Sequence, residues 1–402
     1  MLNQQTLDRR LLKLTLQVTQ NCNFRCKYCV YSENSNKGQR AHSTKNMSWE
    51  TAKKAVDFLW KHSIDTDYVN IGFYGGEPLL CMEIIQQVIA YSEKLFLGKE
   101  LSFNITTNGT LLNEKYIQYF KKHNVSLMIS LDGNKEINDS NRVLQDGTGT
   151  YDIVMKKIAM VRQVEPDYAK KMQISMVIDP QKDFDCFNSI YIQEKDFDHL
   201  FVAATVVDKE YDNDKIDMSE TYIWKSKYHR FLGVLSYLKR IDKDYVSPIV
   251  YLSVMADIKR CHDMDLYHRL LEIDAPGGPC IPGQLRLFCN VDKKLFPCER
   301  VSETSSISCI GSLDEGFNME NVKKFLNVGQ VAGEECKYCW SFRYCILCGK
   351  KADDGHGKMD PQIKLKHCPE SRSSAEIIFK LKLLFKEVPN YYGKQCFEVQ
   401  EE

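Results

Sequence analysis

The chain has 402 residues, with 54 Lys plus Arg against 54 Asp plus Glu, and 16 cysteines. That length predicts one large domain with a smaller appendage, and the balanced charge supplies no overall field for nucleic acid or an anionic membrane. The sequence holds no apolar run of about 18 residues and no signal-like apolar stretch at its start, so a cytoplasmic protein with no nucleic-acid or membrane partner is expected.

Leu12, Leu14, Leu16 and Val18 alternate with polar residues, the period of a half-buried strand that runs into QNCNFRCKYC. After Ser48 a helix is predicted, with Ala52, Ala55, Val56, Leu59 and Trp60 on one face. Strand Val69 to Tyr74, helix Met82 to Lys94, strand Leu101 to Thr107, a helix after Asn113 and strand Val125 to Leu131 follow. Helix Tyr151 to Val164, strand Met172 to Ile178 and strand Leu200 to Val207 complete the alternation. Six strands separated by helices predict a parallel α/β sheet, open or curved into a partial (β/α)6 TIM-like barrel, with functional loops at the strands' C-terminal ends. The expected organisation is a barrel over 1–207, a polar helical bridge over 208–275, a Cys-rich module over 276–372 and a closing helix and tail over 373–402. That helix is predicted from Ser374 to Val388.

Sixteen thiols in an unexported chain read as metal ligands or buried apolar groups, because cytosolic cysteines stay reduced. Cys22, Cys26 and Cys29 sit in one loop, spaced so that all three can face one inorganic cluster. A structural zinc site is the competing reading; it would want a fourth ligand, and His42 is the nearest histidine. Three thiolates with one position open suit a 4Fe-4S cluster whose fourth iron takes an exogenous ligand.

CxxxCxxC after the first strand of such a sheet resembles the radical S-adenosylmethionine (SAM) superfamily. The resemblance implies that the open iron chelates the amino and carboxylate groups of SAM. One electron then cleaves SAM to methionine and a 5′-deoxyadenosyl radical, with the electron coming from a low-potential donor such as flavodoxin or ferredoxin. Tyr28 matches the aromatic near the adenine, and Gly75-Gly76-Glu77-Pro78 matches the GGEP loop, whose carbonyls and glutamate approach the SAM ammonium. Ser130, in the strand leading to Asp132, matches positions near the ribose and carboxylate; the fork of Arg142 suits that carboxylate. Asn108 recurs in relatives. Structural roles stand beside these: a core aromatic, a capping serine, a turn aspartate, a solvated arginine and a strand-end asparagine.

CKYCWSFRYCILC, with Cys336, Cys339, Cys345 and Cys348, is followed by Cys368, and Cys280, Cys289 and Cys298 flank a predicted hairpin upstream. Alone, the four-Cys run reads equally as a zinc ribbon. As a set it is similar to the SPASM extension of peptide-modifying radical SAM enzymes, which implies two auxiliary 4Fe-4S clusters and three in all. Carried over, Cys336, Cys339, Cys345 and Cys368 hold one cluster, and Cys280, Cys298 and Cys348 the other. Sulfatase maturases have an extra cysteine shortly after the first, where this chain reads Ile281 to Arg286. Cys289, in the predicted strand Arg286 to Val291, is expected to point into packing and leave the inner cluster one protein ligand short.

An open iron suits a substrate thiolate. With CIPG, PCER, CKYCW, FYGGEPLL, TTNGTLL and SLDG, the chain resembles the thioether-forming maturases of Cys-rich, CXXX-repeat ribosomal peptides. That resemblance implies a Cys-rich precursor peptide as partner. Glu299, where sulfatase maturases carry a proposed aspartate base, is the candidate proton acceptor, with pairing to Arg300 as its structural alternative. The alternatives are a formylglycine-forming sulfatase maturase and, in another class, a zinc-stabilised interaction module. About a dozen residues precede the first strand, so no N-terminal leader-binding domain is expected. The leader would use the bridge or a separate protein. Cys81, Cys186, Cys261, Cys309 and Cys396 have no ligand spacing and read as buried or free thiols.

Overall fold

The computed structural model describes residues 4–29, 43–193, 197, 200–207, 217–264 and 272–388. His42 and Cys396 lie outside the described residues. The strands are β1 (Lys13–Thr19), β2 (Tyr68–Gly75), β3 (Glu100–Thr107), β4 (Val125–Ser130), β5 (Gln173–Ile178) and β6 (Phe201–Val206). They continue with β7 (Arg286–Cys289), β8 (Lys294–Phe296), β9 (Gly311–Ser312) and β10 (Gly316–Phe317). The first six pair in parallel and in chain order, each followed by a helix, giving the expected α/β architecture. Their C-terminal ends therefore lie at one end of the sheet, and the loops that leave them share it.

The sheet does not stop at β1. Strand β7 pairs parallel to β1 on its other edge, and β8, β9 and β10 follow as an antiparallel meander, making ten strands among the described residues with β6 and β10 at the edges. The Cys-rich region thus grows from the same sheet, and Leu287, Leu295 and Ile310 join the core of β1 to β6. This placement corrects the half-buried reading of β1. Flanked on both edges and covered on both faces, it buries its polar side as well: Gln17 and Thr19 are fully buried. Gln17 Nε2 donates to Glu303 at 2.7 Å, and its Oε1 accepts from the Val291 amide at 3.2 Å.

Helix Trp49–His62, capped by Ser48, buries Ala52, Ala55, Val56 and Leu59, but Trp60 lies at the edge of that stripe and is half exposed. Helices Lys135–Asn141, Phe184–Gln193 and Met319–Leu326 are among those that were not expected. The last helix begins much earlier than expected and runs Pro361–Glu387. Asp360 caps it, Pro361 occupies its first position where no amide hydrogen bond is lost, and Pro369 is carried inside. Bridge helix Pro248–His262 packs against helix Glu220–Tyr237 and this last helix, through Leu238, Val254, Ile258, Cys261, Ile378, Leu381 and Phe385. No described helix is long and apolar enough to cross a membrane.

Candidate metal and cofactor centre

The loop leaving β1 is held by the loop leaving β2. The Gly76 amide donates to Thr19 O at 2.9 Å and the Glu77 amide to Asn21 O at 2.8 Å. Both glycines are required by that approach. A Cβ on Gly75, whose φ is +140°, would stand 2.2 Å from Thr19 O, and one on Gly76 would stand 2.2 Å from Asn21 O.

Glu77 is fully buried, and its carboxylate accepts from the Leu79 amide at 3.0 Å, Thr107 Oγ1 at 2.6 Å and the Asn108 amide at 2.8 Å. Burial raises its pKa, against the lowering effect of those three bonds. The geometry makes Glu77 the pin between the β2 loop and the end of β3. Asn108 extends the brace: its Nδ2 donates to Asn23 Oδ1 at 2.8 Å, and Asn23 Nδ2 donates to Thr110 Oγ1 at 3.0 Å. Asn23, Thr107 and Thr110 were not singled out from sequence. The only signal was their position beside CxxxCxxC and TTNGT.

Cys22 and Cys26 are buried and Cys29 partly so, packed with Phe24, Tyr28 and Leu144. Burial pushes the Cys22 thiol up to about 12 and the Cys26 thiol up to about 11, and Cys26 and Cys29 add to the effect on Cys22. Two buried thiols that interact with each other and with a partly buried third ionise readily only against a compensating cation, which is what an iron–sulfur cluster supplies. Among the described residues, no three His, Cys, Asp or Glu side chains converge on a single-ion position. Thiolates of one cluster each bind a different iron, so convergence on a point is not required of them.

Beside the thiols lies a buried polar group formed by Tyr28, Asp132 and Arg142. The Tyr28 hydroxyl donates to Asp132 Oδ2, Arg142 Nη1 donates to Tyr28 Oη at 2.8 Å, and Asp132 Oδ1 accepts the Val177 amide at 2.9 Å. Burial raises Asp132, opposed by Arg142 and Tyr28. Arg142 lies over the Phe24 ring at 5.6 Å, and its buried Nε has no partner. A buried guanidinium with a vacant donor fits a carboxylate ligand, so this end of the sheet fits the amino-acid part of SAM. Arg142 is thus not solvated. Ser130, at the end of β4, is partly buried and paired in register with Ser175.

The C-terminal cysteines fall into two groups. Cys336 lies on the short helix Gly333–Lys337, Cys339 and Cys345 in the turns that follow, and Cys368 on helix Pro361–Glu387. Cys368 senses Cys336 and Cys345 electrostatically, and Cys339 Sγ lies 3.3 Å from Ser341 Oγ. Lys364, one turn before Cys368, donates from Nζ to Cys336 Sγ at 2.6 Å. Sequence reading missed it, because the helix that pairs Lys364 with Cys368 was not expected to begin before residue 374.

Cys280 is brought in by Gly277 and Gly278, whose amides donate to Arg343 O and Cys345 O, both at 3.0 Å. Cys348 senses Cys280, and Cys298 senses Cys348; burial is the larger effect on both and pushes Cys298 up to about 11. Cys289 lies elsewhere. It is fully buried in the main core with Leu287 and Leu295, whereas its neighbour Phe288 packs on the side where Cys298 lies. Glu299 carries contacts to Arg286 at 3.7 Å and Arg300 at 4.0 Å, so its carboxylate is paired with cations in this structure.

Residues 16–185 match the radical SAM superfamily. An uncharacterised protein of Methanocaldococcus jannaschii is 37% identical over 134 residues, 33% of this chain and 43% of that protein. A cysteine-type anaerobic sulfatase-maturating enzyme of Clostridium novyi is 28% identical over 162 residues, 40% of this chain and 42% of that enzyme. The matched stretches thus span under half the length of these relatives. The solved structure of native anSMEcpe with bound AdoMet and Cp18Cys peptide superposes with a TM-score of 0.66 at 20% identity, covering 93% of this chain and 99% of that one. Residues 16–185 therefore form a radical SAM domain, homologous to that of the anaerobic sulfatase-maturating enzymes.

Proposed function

We propose that this radical SAM enzyme installs thioether crosslinks in a ribosomally made, Cys-rich precursor peptide. With 4Fe-4S clusters and SAM bound, the cofactors would supply a 5′-deoxyadenosyl radical able to take one hydrogen atom from a peptide carbon. That carbon then bonds to a cysteine sulfur with loss of one proton and one electron. The observation that carries the proposal is the grouping of Cys280, Cys298 and Cys348 with Cys289 sequestered in the core. Three protein thiolates leave one position for a fourth sulfur, which the substrate cysteine would fill.

Under this reading Arg142 and Tyr28 orient SAM, Glu77 and Asn108 hold the loop that binds its cluster, and Cys336, Cys339, Cys345 and Cys368 hold the outer cluster. Glu299 receives the proton once freed from Arg286 and Arg300. The precursor's leader docks on the bridge, where Trp224, Tyr228 and Phe231 stand exposed at helical spacing on Glu220–Tyr237, or is presented by a separate protein. A flavodoxin or ferredoxin supplies the low-potential electron.

A second reading, formylglycine formation, is favoured by the relatives, which include an anaerobic sulfatase-maturating enzyme. The bound Cp18Cys peptide of the solved structure suits a peptide substrate in either case. Anaerobic reconstitution with a Cys-rich peptide separates the two. A crosslink removes two hydrogens and one alkylatable thiol while keeping the sulfur, whereas formylglycine made from cysteine loses the sulfur.

A further inference from the structure

Lys364 is 1% exposed and counts among the largest fully buried side chains of the protein. A buried ammonium is costly unless it meets a strong acceptor, and this one donates to Cys336 Sγ at 2.6 Å. It sits on the first turns of helix Pro361–Glu387, which also carries Cys368 four residues on, so a single rigid element presents both the cation and a thiol of the group. Lys364 acts electrostatically on Cys368 as well, together with Arg372. Ser341, 1% exposed, places its hydroxyl 3.3 Å from the Sγ of another cysteine of the group, Cys339.

We propose that Lys364 is a positioning residue that sets the electron affinity of the outer auxiliary cluster, making it easier to reduce. The inference rests on reading Cys336, Cys339, Cys345 and Cys368 as one 4Fe-4S site. Four thiolates give an oxidised cluster of this type a net negative charge, and reduction adds another. A buried cation bonded to a ligand sulfur stabilises the more negative state most, because burial weakens dielectric screening. The Ser341 hydroxyl acts in the same direction with a neutral dipole. A cluster poised this way would be able to take up the electron that a radical oxidation of substrate releases, without offering an iron to the substrate, since all four of its ligands would come from the chain.

The test is an anaerobic, EPR-monitored redox titration of the reconstituted full chain beside Lys364→Met, Lys364→Arg and Ser341→Ala, with iron and sulfide counted for each. The wave that Cys336→Ala removes identifies the outer cluster. Lys364→Met moves that wave to lower potential, so that the reduced-to-oxidised ratio at the wild-type midpoint falls about tenfold, equivalent to about 59 mV for one electron. Lys364→Arg, which keeps the charge, moves it less, Ser341→Ala moves it slightly in the same direction, and the other waves stay in place. An unmoved wave in Lys364→Met overturns the proposal while leaving the cluster reading intact. A wild-type protein with no wave sensitive to Cys336→Ala overturns both. If Lys364→Met does not load iron, Lys364→Gln, which keeps a donor without the charge, must show the same downward shift, and an unmoved wave there overturns the proposal equally.

Discussion

Arg142 donates from Nη1 to the Tyr28 hydroxyl at 2.8 Å, while its buried Nε has no partner. One end of the guanidinium is thus fixed by the residue before Cys29, and the other is a donor prepared for an anion. Arg142→Lys keeps a charge but loses the fork, and is expected to weaken SAM binding about tenfold or more, from charge-assisted hydrogen bonds worth about 1.5–3 kcal/mol. Calorimetry on the anaerobically reconstituted protein checks this. Unchanged affinity would place the SAM carboxylate elsewhere.

Gly76→Ala drives a Cβ to 2.2 Å from Asn21 O, a backbone atom of the cysteine loop. The expected outcome is a loss of about 1–3 kcal/mol in stability and impaired loading of the first cluster. Thermal melts and iron counts measure both. Gly98→Ala, at a glycine of positive φ whose Cβ would meet nothing within 4 Å, is the control and leaves the iron count unchanged.

Glu77→Gln replaces one acceptor oxygen by a donor facing the Leu79, Thr107 or Asn108 donors. A cost of about 1–3 kcal/mol follows from the buried donor left unpaired. The pH dependence has a defined sign. Burial holds the folded pKa of Glu77 above its unfolded value of about 4.3, so between the two the folded state carries more protons and stability falls as pH rises. Gln removes that slope. A melting series from mild acid to neutrality that keeps the same slope in the variant would contradict it.

Three 4Fe-4S clusters amount to about twelve irons per chain. Cys348→Ala or Cys336→Ala should each lower the count by about four, whereas Cys289→Ser, deep in the main core, should leave it unchanged at a cost in stability. A colourless protein carrying zinc would sink the iron–sulfur reading altogether.

Trp224→Ala, Tyr228→Ala and Phe231→Ala are expected to weaken binding of the precursor peptide while leaving SAM cleavage unchanged. Fluorescence anisotropy with labelled leader peptide, run beside a 5′-deoxyadenosine assay, separates the two effects.

Strands β1 to β6 were legible because each is a short alternating or apolar stretch between helical patterns, and the cysteine loop was legible because thiol spacing is itself chemistry. The burial of Gln17 and Thr19 was not, since alternation describes one strand and says nothing of what pairs with it. Gln17 is met by Glu303 and Val291, which follow the return of Arg286–Cys289 beside β1, and Thr19 by Asn46. The last helix starts before the expected Ser374 and carries Pro369, a residue type that ends most helices, with Asp360 as its cap and Pro361 at its first position. Lys364 went unseen because it lies in that early part of the helix. The bracing role of Glu77 was not legible, because the donors its carboxylate accepts from, Leu79, Thr107 and Asn108, are unremarkable or distant in sequence.

The central claim is that a sulfur of the substrate ends bonded to a carbon of the same peptide. High-resolution mass measurement after anaerobic turnover with a Cys-rich precursor tests it directly, combined with thiol alkylation of the product. The account predicts loss of two hydrogens per crosslink, retention of all sulfur and one fewer alkylatable thiol for each. A product that has lost sulfur and gained an aldehyde, or a peptide returned unchanged while SAM is cleaved, would contradict it.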